Sequence, residues 1–340
     1  MKRLSAWLWI AVLATALGGW SLEARSGENN APPGWRSGVG ISDLANAEAA
    51  ADAAAKQAKD MLAGSPAKFV MVTAAIPLMT PELIAGVAKH FDRDLIYGCQ
   101  VASPLVAETN FPDSGEIDSA VGVSVWAVGG DANVTVATQL TDESNDNPYF
   151  TSGSLLAAQL RGKIEDSKRP GKVVVTFGDQ YNGSNIDFAK GMNDGLGDDE
   201  IYYPIVGGAA GNITAKVIVK GEITTGVNVA MLLEGDFFLG QAMNGGTHTP
   251  QTADKTLATA IAEGKGAKPF FALLFNCRRR RAGMIERNQL GKELDVIKDR
   301  LPGINFFGFY GPGEIGSPAR GRPAKGAGFT VVTAVFFRHQ

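Results

Sequence analysis

The sequence predicts an α/β fold of mixed α+β character, with mixed β-sheets and helices packed outside them. Three observations predict it. Apolar runs of strand length begin near residues 68, 172 and 269. Glycine-rich turns follow near residues 98, 207 and 308. The spacing is close to a hundred residues in both series, a domain-scale repeat rather than a solenoid period. Each of the three units reads strand, helix, strand, glycine turn, strand. Such units build mixed sheets whose faces are covered by helices.

The chain opens on a segment to be set apart from the fold. Lys2 and Arg3 precede an apolar run, Leu4 to Leu17. That run has signal-peptide length and is short for a membrane span. Ala14-Thr15-Ala16 and Leu22-Glu23-Ala24 offer small-residue cleavage sites. Residues 1–24 are therefore read as a signal peptide, which predicts a periplasmic or secreted protein. Membrane contact arises only if this peptide stays uncleaved. Residues 25–36, with Pro32-Pro33-Gly34, read as a linker.

Gly38 to Ile41 reads as a short strand. Ser42 or Asp43 then caps an Ala-rich helix ending at Gly64. The first unit begins with Lys68 to Thr73. A helix from Pro81 to Phe91 follows, with proline in its first turn. Asp94 to Tyr97 leads into the turn Gly98-Cys99-Gln100, and Ala120 to Trp126 and Ala132 to Leu140 are strands. The second unit begins with Lys172 to Phe177. Gly178 and Asp179 lead into a helix near Asn185 to Leu196. Ile201 to Val206 meets Gly207-Gly208-Ala209-Ala210-Gly211, then a hairpin around Lys220-Gly221, then a strand from Gly226 to Leu233. Thr252 to Gly264 reads as a helix. The third unit begins with Pro269 to Phe275. A basic loop, Arg278 to Arg281, precedes a helix from Met284 to Leu301. Asn305 to Tyr310 is a strand, followed by Gly311-Pro312-Gly313-Glu314-Ile315-Gly316 and a last strand, Phe329 to Phe337.

Composition narrows the function. The 340 residues are 45% hydrophobic and 20% charged, an ordinary globular balance. The net charge of −3 argues against nucleic acid. Removing residues 1–24 moves it one unit further negative. The two cysteines, Cys99 and Cys277, each close a strand-like run; a disulfide and a shared pocket both stay open. The three histidines have no metal-ligand spacing. No Gly-x-Ser-x-Gly elbow and no Walker loop occurs. Gly207 to Gly211 follows a strand but lacks the dinucleotide pattern, and is read as close backbone packing. No metal and no cofactor is predicted.

Several of these motifs together resemble the FIST family, over about residues 37 to 338. Leu274-Phe275-Asn276-Cys277 with Arg280 resembles its Phe-Ser-Cys loop and downstream Arg. Gly308 to Gly316 resembles its Gly-Glu-Ile-Gly signature. Gly98-Cys99-Gln100 resembles its Gly-Cys-Ser turn, and Gly207 to Gly211 its Gly-Gly-x-Ala-Gly segment. The resemblance implies an N-terminal FIST domain at 37–236 and a C-terminal one at 237–338. It implies a sensory, small-ligand-binding protein without established catalysis. Carried over by position, the ligand-binding residues are Cys99, Cys277, Arg280, Tyr310, Gly313 and Glu314. Arg can fork onto a carboxylate and Glu can accept from an ammonium, which suits an amino acid or a related organic anion. Arg279 and Arg281 depart from the family pattern and make the loop more cationic. No output domain is read in the sequence, so the expectation is that the protein signals through a protein partner or simply binds its ligand. Two alternatives stay open: a cysteine-dependent enzyme, and a module that binds another protein through its aromatic-rich turn.

Overall fold

The computed structural model describes residues 34–106, 109–110, 122–181, 183–197, 202–210, 215–246 and 248–339. The predicted signal peptide and all but the last few residues of the predicted linker lie outside them. Among the described residues, no helix is long and apolar enough to cross a membrane.

Three units follow one another, and each repeats the same order. The first runs β1 (Trp35–Ser42), α1 (Ala47–Met61), β2 (Ala67–Ala75), α2 (Pro81–Ala88), β3 (Ile96–Val101), β4 (Ser103–Val106), β5 (Thr109–Asn110) and β6 (Val123–Gly130). The second runs β7 (Asn133–Leu140), α3 (Pro148–Asp166), β8 (Gly171–Gly178), α4 (Ser184–Leu196), β9 (Ile205–Ala209), β10 (Val217–Val219), β11 (Glu222–Thr224) and β12 (Val227–Gly235). The third runs β13 (Phe237–Gly245), α5 (Gln251–Ala262), β14 (Pro269–Cys277), α6 (Arg278–Glu286), α7 (Leu290–Arg300), β15 (Asn305–Gly311), β16 (Glu314–Gly316), β17 (Lys325–Ala327) and β18 (Thr330–Arg338).

The units exchange their hairpins in a cycle. The three sheets have the orders β1-β6-β2-β3-β10-β11, β7-β12-β8-β9-β16-β17 and β13-β18-β14-β15-β4-β5. Each unit thus builds four strands of its own sheet and lends one hairpin to a neighbour. Among the described residues, only β2–β3, β8–β9 and β14–β15 pair in parallel. The repeat therefore starts one strand and one helix earlier than the sequence pattern places it.

The central strands are largely apolar because both faces are covered. In β14, Phe271, Leu273 and Phe275 face a central core shared by all three sheets. Ala272 and Leu274 face a separate layer under α5, α6 and α7. The strands β2 and β8 alternate in the same way, under α1 and α2 and under α3 and α4. Trp126 anchors the shared core, stacked on Phe271 at 5.4 Å and on Phe307 at 5.6 Å. Such pairs add about 0.5–1.5 kcal/mol beyond area burial. The Trp126 indole N–H donates to Ser37 Oγ at 2.9 Å, so its own nitrogen is satisfied.

Several sequence expectations change. The glycines at 98, 207 and 308 lie inside β3, β9 and β15, not in turns. A Cβ on Gly98, Gly207 or Gly308 would sit 1.9, 1.8 or 1.6 Å from the carbonyl oxygen of Val72, Thr176 or Leu274. Close approach within each parallel pair, rather than chain reversal, requires them. The first helix is capped by Asn46, whose side chain accepts from Ala49 N–H. The basic stretch Arg278–Arg281 forms the first turn of α6, not a loop. The helix beyond it is broken into α6 and α7 at Asn288, which has φ +53°. Residues 148–166, for which the sequence pattern predicts no element, form α3. Its Gly153 lies where a Cβ would meet Phe188 O at 2.4 Å, and Gly191 of α4 meets Phe150 O in return. The glycines that weaken the helix signal are the ones that let the two helices touch. β13 also goes unpredicted, since Gly240 and Gln241 interrupt its apolar pattern.

Candidate functional site

The structure gathers Cys277, Arg280, Tyr310 and Glu314 at the C-terminal ends of β14 and β15. Open α/β sheets bind ligands at such strand ends. Cys277 ends β14 and is the N-cap residue of α6. Arg280 lies one turn into that helix and is fully buried. Its Nη1 donates to Asn276 Oδ1 at 3.2 Å and to Glu293 Oε1 at 3.0 Å. Its Nη2 donates to Thr249 O at 2.9 Å. Glu293 comes from α7 and is also fully buried. Burial raises its carboxyl above the usual range, while Arg280 and the Tyr310 hydroxyl pull it back.

Glu314 opens β16, across a tight turn from β15, and is 1% exposed. Its Oε2 accepts from Thr330 N–H at 3.1 Å and from Thr330 Oγ1 at 2.6 Å. Burial pushes its carboxyl up to about 8; Thr330, Arg280 and the Cys277 thiol work in the other direction. Cys277 itself is 2% exposed. Burial raises its thiol, and the charge of Glu314 raises it further. The N–H groups of Phe329, Arg279 and Arg280 oppose this shift. The balance keeps the thiol protonated, the opposite of what a nucleophilic cysteine needs.

Four buried polar atoms of this network lack a hydrogen-bond partner among the described residues. Two are donors, Arg280 Nε and Asn276 Nδ2. Two are acceptors, Glu314 Oε1 and Glu293 Oε2. Buried polar groups are normally paired, so such a set marks a place where a ligand's groups can be received.

Of the other two sequence-predicted residues, Cys99 is placed elsewhere and Gly313 adjoins Glu314 in the turn. Cys99 sits in the middle of β3, fully buried in the shared core, where burial raises its thiol. Both cysteines are free. Gly313 contributes backbone rather than a wall, since its carbonyl accepts from Ala209 N–H at 2.7 Å. Sequence reasoning missed Glu293 and Thr330. Glu293 carried a signal: with Leu290 and Ile297 it follows the i, i+3, i+7 spacing of a buried stripe. A charge on such a stripe needs a partner inside.

His248 lies at the edge of the network, with Nδ1 3.1 Å from Arg279 O and its ring edge-on to Phe329. Among the described residues, no group of three or more His, Cys, Asp and Glu is arranged to hold a metal.

Comparison with known proteins gives one family. The model described as the FIST N domain matches residues 37–252. No curated protein matches the chain. Among solved structures, one described as "Cyanuric acid hydrolase: evolutionary innovation by structural concatenation" is similar to it at 10% identity and a TM-score of 0.46. The match covers 90% of this chain and 100% of that one. A structure of PurLQS from Thermotoga maritima is similar at 10% identity and a TM-score of 0.28, over 90% of this chain and 73% of that one. At these scores neither likeness bears on the chemistry of the site.

Proposed function

This chain belongs to the FIST family, and from that premise we propose that it is an exported sensory protein that binds a free amino acid at the Arg280–Glu314 network. The observation that carries this reading is the pairing of unpartnered donors with unpartnered acceptors in one buried network. A zwitterion presents both kinds of end. Its carboxylate would take the N–H of Arg280 Nε and the Asn276 amide. Its ammonium would donate to Glu314 Oε1. Arg280 spends its two terminal nitrogens on the protein, so it meets a ligand through Nε rather than through the two-pronged fork. Related organic anions would use the same donors.

In this reading residues 237–338 act as the FIST C-terminal domain. Residues 1–24 direct export, and a separate protein partner carries the signal onward. No catalytic cycle is required. The raised thiol of Cys277 and the core placement of Cys99 favour binding over nucleophilic chemistry.

The test is a thermal-shift screen of the purified protein against amino acids, organic acids and phosphorylated metabolites. A ligand at a hundredfold over its dissociation constant adds about 2.7 kcal/mol of stability. An amino acid should raise the melting temperature, and Glu314→Gln should abolish the shift. A shift that survives Glu314→Gln, or one given only by phosphorylated compounds, would remove the assignment.

A further inference from the structure

The repeated parallel pairs let one position be compared in each unit. Gly98 lies opposite Val72, Gly207 opposite Thr176 and Gly308 opposite Leu274. Three residues beyond these partners stand Ala75, Asp179 and Cys277. In the first unit the place is apolar. In the third it belongs to the network described above. In the second it is held by a carboxylate that the network does not use.

Asp179 is 1% exposed, and neither of its oxygens has a hydrogen bond of good geometry, although the Thr141 hydroxyl lies nearby. No ion pair among the described residues involves it. Gln180 beside it is fully buried. Its amide nitrogen donates to Asn228 Oδ1, which leaves Oε1 without a partner. Asn228 is anchored in turn, since its Nδ2 donates to Thr141 Oγ1 at 3.0 Å and to Ser152 Oγ at 2.8 Å. Its Oδ1 also takes the Asp179 N–H at 3.1 Å. This scaffold fixes which end of Gln180 is left over. Tyr149, from the first turn of α3, brings a buried hydroxyl that has no hydrogen bond of good geometry, with the Ser184 hydroxyl nearby, and that lies close enough for the Asp179 charge to act on it. Tyr181 packs edge-on against Tyr149 at 5.8 Å and is 37% exposed. The aromatic wall of the cluster thus reaches the surface.

We propose that this cluster is a second binding site, one that receives a primary ammonium group. Asp179, Gln180 Oε1 and the Tyr149 oxygen accept its three N–H donors. The count decides the class of ligand. An ammonium carries three donors and no acceptor, and the cluster offers oxygens with open acceptor positions on three side chains. One carboxylate among neutral oxygens matches a single positive charge. A divalent cation would gather several carboxylates, and no such group exists among the described residues. Two tyrosine rings add favourable contacts for an organic cation. The Asp179 carboxyl is raised by burial, and the nearby Thr141 hydroxyl offsets this in part. A bound cation stabilises the ionised form of such a group. The proposal does not rest on the ligand assigned to the Arg280–Glu314 network.

Calorimetric titration of the whole protein with methylammonium chloride, at constant ionic strength, tests it. Saturable binding at one site is expected, because methylammonium lacks the carboxylate that the Arg280–Glu314 network also takes. Asp179→Asn should weaken it tenfold or more, because it removes the one charge that faces the cation. Glu314→Gln should leave it unchanged. Tetramethylammonium, which has no N–H, should bind at least tenfold more weakly than methylammonium. Should Asp179→Asn fail to fold, Tyr149→Phe removes one acceptor and should weaken binding at least threefold. The proposal is overturned by an absence of saturable heat, or by wild-type affinity in Asp179→Asn or Tyr149→Phe. It is equally overturned by equal affinity for tetramethylammonium or potassium, or by loss of methylammonium binding in Glu314→Gln. That last outcome would move the ammonium to the other network, so the two assignments fail separately.

Discussion

Replacing Glu314 by Gln separates the charge of this carboxyl from its shape. The amide keeps a carbonyl for the Thr330 N–H and hydroxyl, which Glu314 Oε2 accepts in the wild type. In the folded protein burial pushes the carboxyl up from 4.5 to about 8. Between these two values the folded state binds more protons than the unfolded state. Stability therefore falls as pH rises through this window, and the loss is complete above the folded value. Each pH unit inside the window costs about 1.4 kcal/mol. From pH 5 to pH 8 the wild type should lose roughly 3 to 4 kcal/mol through this group alone. The assay is urea unfolding of both proteins at pH 5, 6, 7 and 8. Titrating groups common to both, Asp179 and Glu293 among them, drop out of the difference. The two stabilities should lie close at pH 5 and diverge steadily, with Glu314→Gln the more stable at pH 8. Parallel profiles would refute the claim that Glu314 is charged at a cost in its buried place.

Four further outcomes are expected. Arg280→Met leaves Glu293 buried without its ion partner and should cost about 3–5 kcal/mol in urea unfolding. Adding Glu293→Leu should recover part of that, and a single-variant loss under 1 kcal/mol would show that the pair is not isolated from water. Gly308→Ala puts a methyl 1.6 Å from Leu274 O, so it should destabilise by more than about 4 kcal/mol or prevent folding. Gly162→Ala, on the exposed face of α3 with nothing within 4 Å of the new methyl, should instead stabilise by about 0.5–1 kcal/mol. Iodoacetamide at pH 8 should modify Cys99 and Cys277 slowly in the folded protein. Both should react after denaturation without reductant, as read by intact mass, and fast native labelling of Cys277 would contradict its raised thiol.

The threefold repeat was legible because buried parallel pairs need apolar runs, and these recur at nearly equal spacing. Hairpin exchange was not, since strand order depends on which edge each hairpin meets, and a run of three residues such as Val217–Val219 carries no address. Glycine misled in two ways. In β3, β9 and β15 it marks contact between strands, and in α3 and α4 contact between helices, yet in sequence both look like breaks. The third-unit site was partly legible, through Cys277, Arg280, Tyr310 and Glu314. Arg280 is positioned by a charge on another helix, and Glu293 reads as an ordinary solvated residue until its stripe is traced. Cys99 shared a motif with the site but not its place. Its side chain points to the shared core, because residues alternate faces along β3.

Hairpin exchange also explains how distant residues come to share one network. Glu314 belongs to β16, which pairs with β9 in the sheet of the second unit. Cys277 belongs to β14, in the sheet of the third. Thr330, on β18 of that same third sheet, reaches across to hold Glu314 Oε2. The second unit answers from its own side: Asn185 of α4 donates to Glu314 O at 2.9 Å and to Ala327 O at 2.8 Å. Glu314 is thus pinned by both sheets, its side chain by one and its backbone by the other. A group that bonds to Glu314 Oε1 changes the charge of a residue shared by two units. Only a residue on an exchanged hairpin can be shared in this way. In the first sheet the place of Glu314 falls to Val217, which pairs with Cys99, so no charge is shared there.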